Sequence, residues 1–158
     1  MIMDERTEFA DNVSVAAGTG TAVIGDVIDL GSDGRDIGNG QELYLVIKTG
    51  ATEIITGGAA GEISFDLVSD STANLTTSPT VHFSTGTLVT DDNAANDARL
   101  NAGGYIARVA IPTGDFERYV GIRATIGTTT VTEGTIDAFL TPNPTAWKAY
   151  ANAANAAI

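Results

Sequence analysis

The sequence predicts an all-β fold with about eight antiparallel strands and a short C-terminal helix. The strands are expected to form a sandwich or a barrel, of which an antiparallel β-sandwich of jelly-roll type is favoured. Three observations support this prediction. Apolar and polar residues alternate along several segments, as they do in half-buried antiparallel strands. Thr and Val, which suit a pleated surface, are abundant. Segments rich in Gly, Asn and Asp separate these stretches, and their uneven lengths favour Greek-key or jelly-roll crossings over a simple meander.

The alternation predicts both where the strands lie and which face of each strand turns towards the core. Strands are expected near residues 12–16, 22–30, 42–48, 62–69, 79–85, 105–111, 119–126 and 134–140, with a short extra strand at 52–56 or 86–90. The side chains expected to face the core are Leu43, Leu45, Ile47, Ile63, Phe65, Leu67, Val81, Phe83, Val120, Ile122, Ala124, Ile126, Ile136, Ala138 and Leu140. His82, between Val81 and Phe83, is expected to face solvent.

The two ends of the chain do not share this alternation. Residues 1–11 form no evident strand and are expected to be an N-terminal arm, which precedes a sandwich domain over residues 12–141. Residues 142–158 are expected to form a helical tail, because prolines suit a first helical turn and an Ala-rich run follows them. The apolar edge of this helix would consist of Trp147, Tyr150, Ala154 and Ile158.

Composition excludes several classes of protein. The chain has 158 residues with 8 Lys+Arg against 20 Asp+Glu, so its net charge is −12. A chain this acidic is poorly suited to binding nucleic acid or an anionic membrane, because both surfaces require basic residues. The absence of Cys excludes disulfides and thiolate chemistry. The N-terminal sequence lacks the basic end and long apolar core of a secretory signal, and we therefore expect a soluble protein.

No arrangement of residues predicts catalysis, a cofactor or a metal site. His82 is the single histidine, and no serine lies in a G-x-S-x-G turn. The Gly-rich stretches lack the lysine and the strand-to-helix context of a phosphate-binding loop. Two acidic clusters remain, one spaced loosely like a calcium loop and one able to supply paired carboxylates. For both clusters a solvated loop is the favoured interpretation; they consist of Asp29, Asp33 and Asp36, and of Asp91, Asp92 and Asp97.

Several phrases along the chain resemble one protein family. They are MIMDERTEFAD, GDVIDLG, RDIGNGQELYLVI, FDLVSD, PTVHFSTG, IPTGDFERYVGIRATI and GTIDAFLT. Together they resemble the capsid cement (decoration) proteins of tailed bacteriophages, of the podophage type with a jelly-roll fold. The resemblance implies a structural virion protein on the capsid exterior, made in the host cytoplasm, that binds the major capsid protein and stabilises the shell. It also implies a homo-oligomer, with a dimer favoured over a trimer, and no catalytic residue.

Aromatic residues and arginines are the best candidates for contacts with the shell, because such residues anchor many protein interfaces. The candidate partner-binding residues are Ile2, Met3, Arg6, Phe9, Tyr119, Arg123, Trp147 and Tyr150. Tyr44 and Phe139 are further aromatic candidates, and for all the aromatics a place in the core is the competing interpretation. The alternative function is a carbohydrate- or ligand-binding β-sandwich module.

Overall fold

Thirteen strands form the part of the chain that the computed structural model describes, which is residues 7–32, 35–37, 42–91 and 96–144. A short 3-10 helix, Ala98–Leu100, lies between the eighth and ninth strands. The strands are β1 (Glu8–Ser14), β2 (Gly20–Asp29), β3 (Arg35–Ile37), β4 (Tyr44–Thr49), β5 (Ile55–Thr56), β6 (Gly61–Asp70), β7 (Thr80–Ser84), β8 (Leu88–Thr90), β9 (Tyr105–Ala110), β10 (Gly114–Phe116), β11 (Tyr119–Gly127), β12 (Val131–Glu133) and β13 (Thr135–Thr141).

The longer strands form two antiparallel sheets. The first sheet has the order β1-β13-β4-β9, and the second has the order β2-β11-β6-β7, with β8 also paired to β6. Eight of the described strands have five or more residues, and in chain order the first pairs with the last, the second with the seventh, the third with the sixth and the fourth with the fifth. This nested pairing is the topology of a jelly roll. The predicted β-sandwich is therefore confirmed, and the five remaining strands are additions of two or three residues each.

The core fills the space between the two sheets, as the alternation predicted for the central strands. Ile63, Phe65 and Leu67 of β6 face Leu45 and Ile47 of β4, and all five side chains are fully buried. Burying apolar area of this kind contributes roughly 25 cal/mol per Å² and is the main stabilising contribution to a sandwich. The core residues that β11 and β13 supply are Val120, Ile122, Ala124, Ile126, Ile136, Ala138 and Leu140.

The prediction for β7 is wrong at two positions. Leu67 pairs with Phe83, but Val68 pairs with Val81, so His82 is an extra residue between the two pairs. Because side chains alternate between the two faces of a strand, one extra residue reverses the face on which each side chain beyond it lies. Val81 consequently lies 50% exposed, and His82 packs against Phe116 in the core cluster.

The N-terminal boundary also differs from the prediction. The first strand was expected at 12–16, but β1 begins at Glu8, within the segment expected to be an arm. Phe9 belongs to this strand and is fully buried in the core, so the expectation that it has no strand to join is wrong. Two register shifts between β1 and β13 disturb the alternation, which explains why the sequence pattern did not show the strand. Residues 1–6 of the arm and 145–158 of the tail lie outside the described residues.

Gly25 allows β1 and β2 to meet and so closes one side of the sandwich. Its φ is +70°, a left-handed conformation that favours glycine. A Cβ atom at this position would overlap the backbone oxygen of Phe9. The two end strands of the two sheets therefore pack backbone to backbone here, and only a residue without a side chain fits between them.

Replacing Gly25 with alanine should destabilise the fold by about 2–4 kcal/mol, because the new methyl overlaps a backbone oxygen and the backbone angle is unfavourable. Gly18→Ala is the matched control, since a Cβ there has no atom within 4 Å, and its effect should stay within about 0.5 kcal/mol. Urea unfolding of both variants measures the difference. Equal stability of Gly25→Ala and the wild type would contradict the proposed close approach.

Candidate interaction surfaces

The loop over residues 71–79 covers part of the outer face of the second sheet. Val68 of β6 and Gly121 of β11 are paired neighbours on that face. The Leu75 side chain occupies the space above Gly121, since a Cβ on Gly121 would lie 2.6 Å from Leu75 Cδ1. Leu75 and Val68 are both fully buried, although neither belongs to the main core between the sheets. This loop therefore forms a small apolar cluster of its own on the outside of the sandwich.

The carboxylate of Asp70 holds this loop in place from the end of β6. One oxygen accepts the backbone N–H of Thr72 at 3.0 Å, and the other accepts those of Thr77 at 2.9 Å and Ser78 at 3.2 Å. Burial alone would raise the pKa of Asp70, but the backbone donors of Ser78, Thr72 and Thr77 outweigh burial and hold the pKa below its usual value. The Asp70 carboxylate therefore accepts hydrogen bonds from backbone N–H groups that the loop would otherwise leave unpaired.

Arg123 lies beside this loop and bonds to groups of its own chain. Its Nη1 donates to the carbonyl oxygen of Leu75 at 3.4 Å, and its Nη2 lies 3.9 Å from the Asp66 carboxylate. The side chain is only 15% exposed, and its buried Nε has no hydrogen-bond partner among the residues that the structure describes. The sequence correctly placed Arg123 on the outer face of its strand, but the loop covers much of it there. Its role in binding a partner stays a prediction.

Tyr119, a second candidate for partner binding, is half-buried beside an exposed ion pair. Arg118 donates from Nε at 2.9 Å and Nη2 at 2.8 Å to the two oxygens of Asp29, and its guanidinium lies 4.8 Å from the centre of the Tyr119 ring. The hydrogen bonds from Arg118 and the N–H of Gly31 lower the pKa of Asp29 to about 2. Both oxygens of this carboxylate are thus engaged within the chain. Asp33 and the side chain of Asp36, the other members of this acidic cluster, lie outside the described residues.

The second acidic cluster also serves local structure. Asp97 accepts the backbone N–H of Arg99 at 3.0 Å, which caps the short helix, and its other oxygen pairs with Arg99 Nη2 at 2.7 Å. Asp91 is buried, and Asp92 lies outside the described residues. Within the described ranges, no three His, Asp or Glu side chains are grouped closely enough to hold a metal ion.

His82 forms a buried polar contact between strands. Its Nε2 lies 2.7 Å from the hydroxyl of the fully buried Ser69, and its ring stacks on Phe116 at 3.8 Å between ring centres. Ser69 also accepts the backbone N–H of Glu117 at 3.1 Å, so its one hydrogen can point to a neutral His82. Burial lowers the pKa of His82, against a smaller opposing effect of the Glu117 carboxylate.

The structure describes three of the eight predicted partner-binding residues. Phe9 is in the core, whereas Tyr119 and Arg123 lie on β11. The other predicted residues, which lie outside the described residues, are Ile2, Met3, Arg6, Trp147 and Tyr150. Of the two further aromatic candidates, Tyr44 donates its hydroxyl to Glu42 at 2.7 Å, which raises the pKa of the phenol. Phe139 is fully buried, on the side of β13 opposite the core residues Ala138 and Leu140.

The sequence interpretation missed the surface at the end strands β7, β8 and β9. The three large apolar side chains that the described chain exposes are Val81, Val89 and Tyr105, one on each of these strands. Arg108 lies beside Tyr105, with its guanidinium 5.1 Å from the centre of the Tyr105 ring. Tyr105 and Arg108 are three residues apart, so strict alternation would place them on opposite faces of β9. The bulge at Ile106 breaks the alternation, and the sequence therefore did not show that the two side chains meet.

The fold and these surfaces define a class of protein, a small antiparallel jelly roll with loops fixed by local hydrogen bonds. None of its described helices is long and apolar enough to cross a membrane. Residues 9–140 match the Bbp16 family model, and the chain therefore belongs to the Bbp16 family, which is associated with bacteriophages. No curated protein matches the sequence.

Replacing Asp70 with alanine should lower the melting temperature by about 5 °C or more, because three backbone N–H groups lose their acceptor. The pKa of Asp70 is lower in the folded chain, so its stabilising effect is present above the unfolded value of 3.8 and is lost as the pH falls through the folded value. The melting temperatures of Asp70→Ala and wild type should therefore converge in acid.

Asp115→Ala, which removes an exposed carboxylate, is the control. If the melting temperature fell by the same amount in both variants, the role of Asp70 in holding the loop over residues 71–79 would be contradicted.

Since His82 is the single histidine, the Hε1 proton of its ring gives one titrating signal in proton NMR that needs no further assignment. The midpoint should lie below the ordinary pKa of 6.5, and Glu117→Gln should lower it further because the carboxylate favours the charged ring. Because the pKa of His82 is lower in the folded chain than in the unfolded one, the free energy of unfolding should decrease as the pH drops below 6.5. It should become constant again below the folded midpoint. A midpoint at or above 6.5 in the wild type would show that the ring is not buried against Phe116.

Proposed function

We propose that the protein is a structural component of a phage virion, which binds the capsid exterior and cements subunits of the major capsid protein. The observation that supports this most is the match of residues 9–140 to a phage-associated family. The proposal gives the protein a structural rather than an enzymatic role and places it on the virion after synthesis in the host cytoplasm. We further propose that it acts as a homo-oligomer, with a dimer favoured over a trimer.

The geometry suits a protein that must keep its shape under load. The two sheets are joined at Gly25 on one side, and the loop over residues 71–79 is fixed to Asp70 by several hydrogen bonds. A rigid surface loses little conformational entropy on binding, and many copies on a lattice can bind firmly through individually weak contacts. The net charge of −12 would also keep coated particles apart in solution.

A cavity favours a second candidate function, binding of a small apolar ligand. The cavity has a volume of about 170 Å³ and lies at one end of the sandwich. Its walls are Thr7, Ile28, Leu30, Ile37, Leu43, Val120 and Leu140. A carbohydrate would need polar groups that converge on its hydroxyls, and this wall offers almost none. The carbohydrate-binding alternative is therefore the weaker form of this second candidate.

Co-sedimentation with shells assembled from the major capsid protein alone tests the proposed function. The purified protein should pellet with these shells at a saturable stoichiometry and raise the temperature at which they open. Bovine serum albumin provides the negative control. Shells that neither bind the protein nor gain heat resistance would overturn the proposal. A melting-temperature rise with a small alkane or benzene, in the absence of shell binding, would favour the second candidate.

A further inference from the structure

The two sides of the sandwich differ in the charge of their end strands. On the closed side, β1 and β2 carry the carboxylates Glu8, Asp11, Asp26 and Asp29. On the opposite side, the end strands β7, β8 and β9 contain no Asp or Glu, in a chain with 20 of them. Charged residues on an end strand hinder pairing with another chain. We call the side formed by β7, β8 and β9 the open edge, because its strands carry no carboxylate and Arg108 is their one charged residue.

The open edge also carries the exposed apolar residues of the described chain. Val81 on β7 is 50% exposed, Val89 on β8 is 45% exposed, and Tyr105 on β9 is 38% exposed. Single exposed apolar residues are ordinary, but here all three lie on the end strands of one side. No further described strand pairs with the outer side of β9, so its backbone can accept an added strand.

Arg108 distinguishes β9 within this edge. The other arginines whose side chains the structure describes are Arg99, Arg118 and Arg123, and each lies within 4 Å of a carboxylate. Arg108 forms no ion pair within the described residues; it is exposed and contacts the Tyr105 ring. Its cross-strand neighbour on β4 is the apolar Val46, which supplies no counter-charge. An aromatic residue beside an unpaired arginine is a frequent centre of protein interfaces.

We propose that the open edge is the docking surface for an extended segment of the major capsid protein, which pairs with β9 and places a carboxylate against Arg108. This inference rests on the proposed function and adds to it the surface and the chemistry of the partner segment. A second copy of this chain is a poorer occupant, because its own open edge brings another Arg108 and no carboxylate on its strands. Charge complementarity therefore favours a different chain as the partner.

The test compares full-length Arg108→Gln with Arg118→Gln on shells assembled from the major capsid protein alone. Both changes remove one exposed arginine and alter the net charge of −12 equally, but Arg118 pairs with Asp29 on the closed side. We expect Arg108→Gln to weaken binding about tenfold and Arg118→Gln to change it by less than about twofold. Amide hydrogen exchange of the wild type on shells should show new protection in β9 and none in β2. Melting curves verify that both variants fold.

The outcomes separate the two levels of the proposal. Shell binding that is equal in both variants, or protection in β2 instead of β9, overturns the open edge as the docking surface and leaves the cementing function intact. A wild type that does not bind shells overturns both. If light scattering shows a dimer that Arg108→Gln dissociates while shell binding persists, then the edge holds a second copy and the proposed partner is wrong.

Discussion

The close approach of β1 and β2 at Gly25 is the contact on which the arrangement of the whole molecule depends. In a jelly roll the first strand pairs with the last and the second with the seventh, so these two strands begin the two sheets. Where they meet, the N-terminal strand is fixed to both sheets at once, through β13 and through the backbone contact between Phe9 and Gly25. The burial of Phe9 follows from this contact. So does the asymmetry of the sandwich, because only the opposite side keeps end strands without such a contact.

Carboxylates in this chain do more than set its net charge. Asp137 accepts the N–H of Asn12 at 2.8 Å and pairs with Lys48 at 3.0 Å, so one side chain joins β1, β13 and β4. Asp70 organises a loop, and Asp97 caps a helix. Each of these carboxylates replaces water as the acceptor for backbone or cationic donors, which limits the cost of placing charge near the protein interior. The high acid content therefore has structural uses that a net charge cannot reveal.

Much of the fold could be predicted from the sequence, because alternation survives wherever pairing is regular. In β6 and β11, a continuous register over nine residue pairs preserves the period of two, and all the predicted inward residues are buried. The prediction failed where an extra residue enters, at His82 in β7, since a bulge leaves no clear mark in a short segment. Phe9 was missed for a related reason, the shifted register between β1 and β13.

The candidate surfaces were harder to predict than the fold, because they depend on which residues the topology leaves without a neighbour. Arg123 and Arg108 are both arginines on strands, and nothing in their local sequence separates them. Arg123 lies on a central strand under a loop that supplies the Leu75 carbonyl and next to Asp66 on β6. Arg108 lies opposite Val46, on a strand that has a neighbour on one side only among the described strands. Strand order therefore decides whether an arginine stabilises its own chain or can bind another one. The sequence pattern predicts the strands but does not specify which strand lies beside a given arginine.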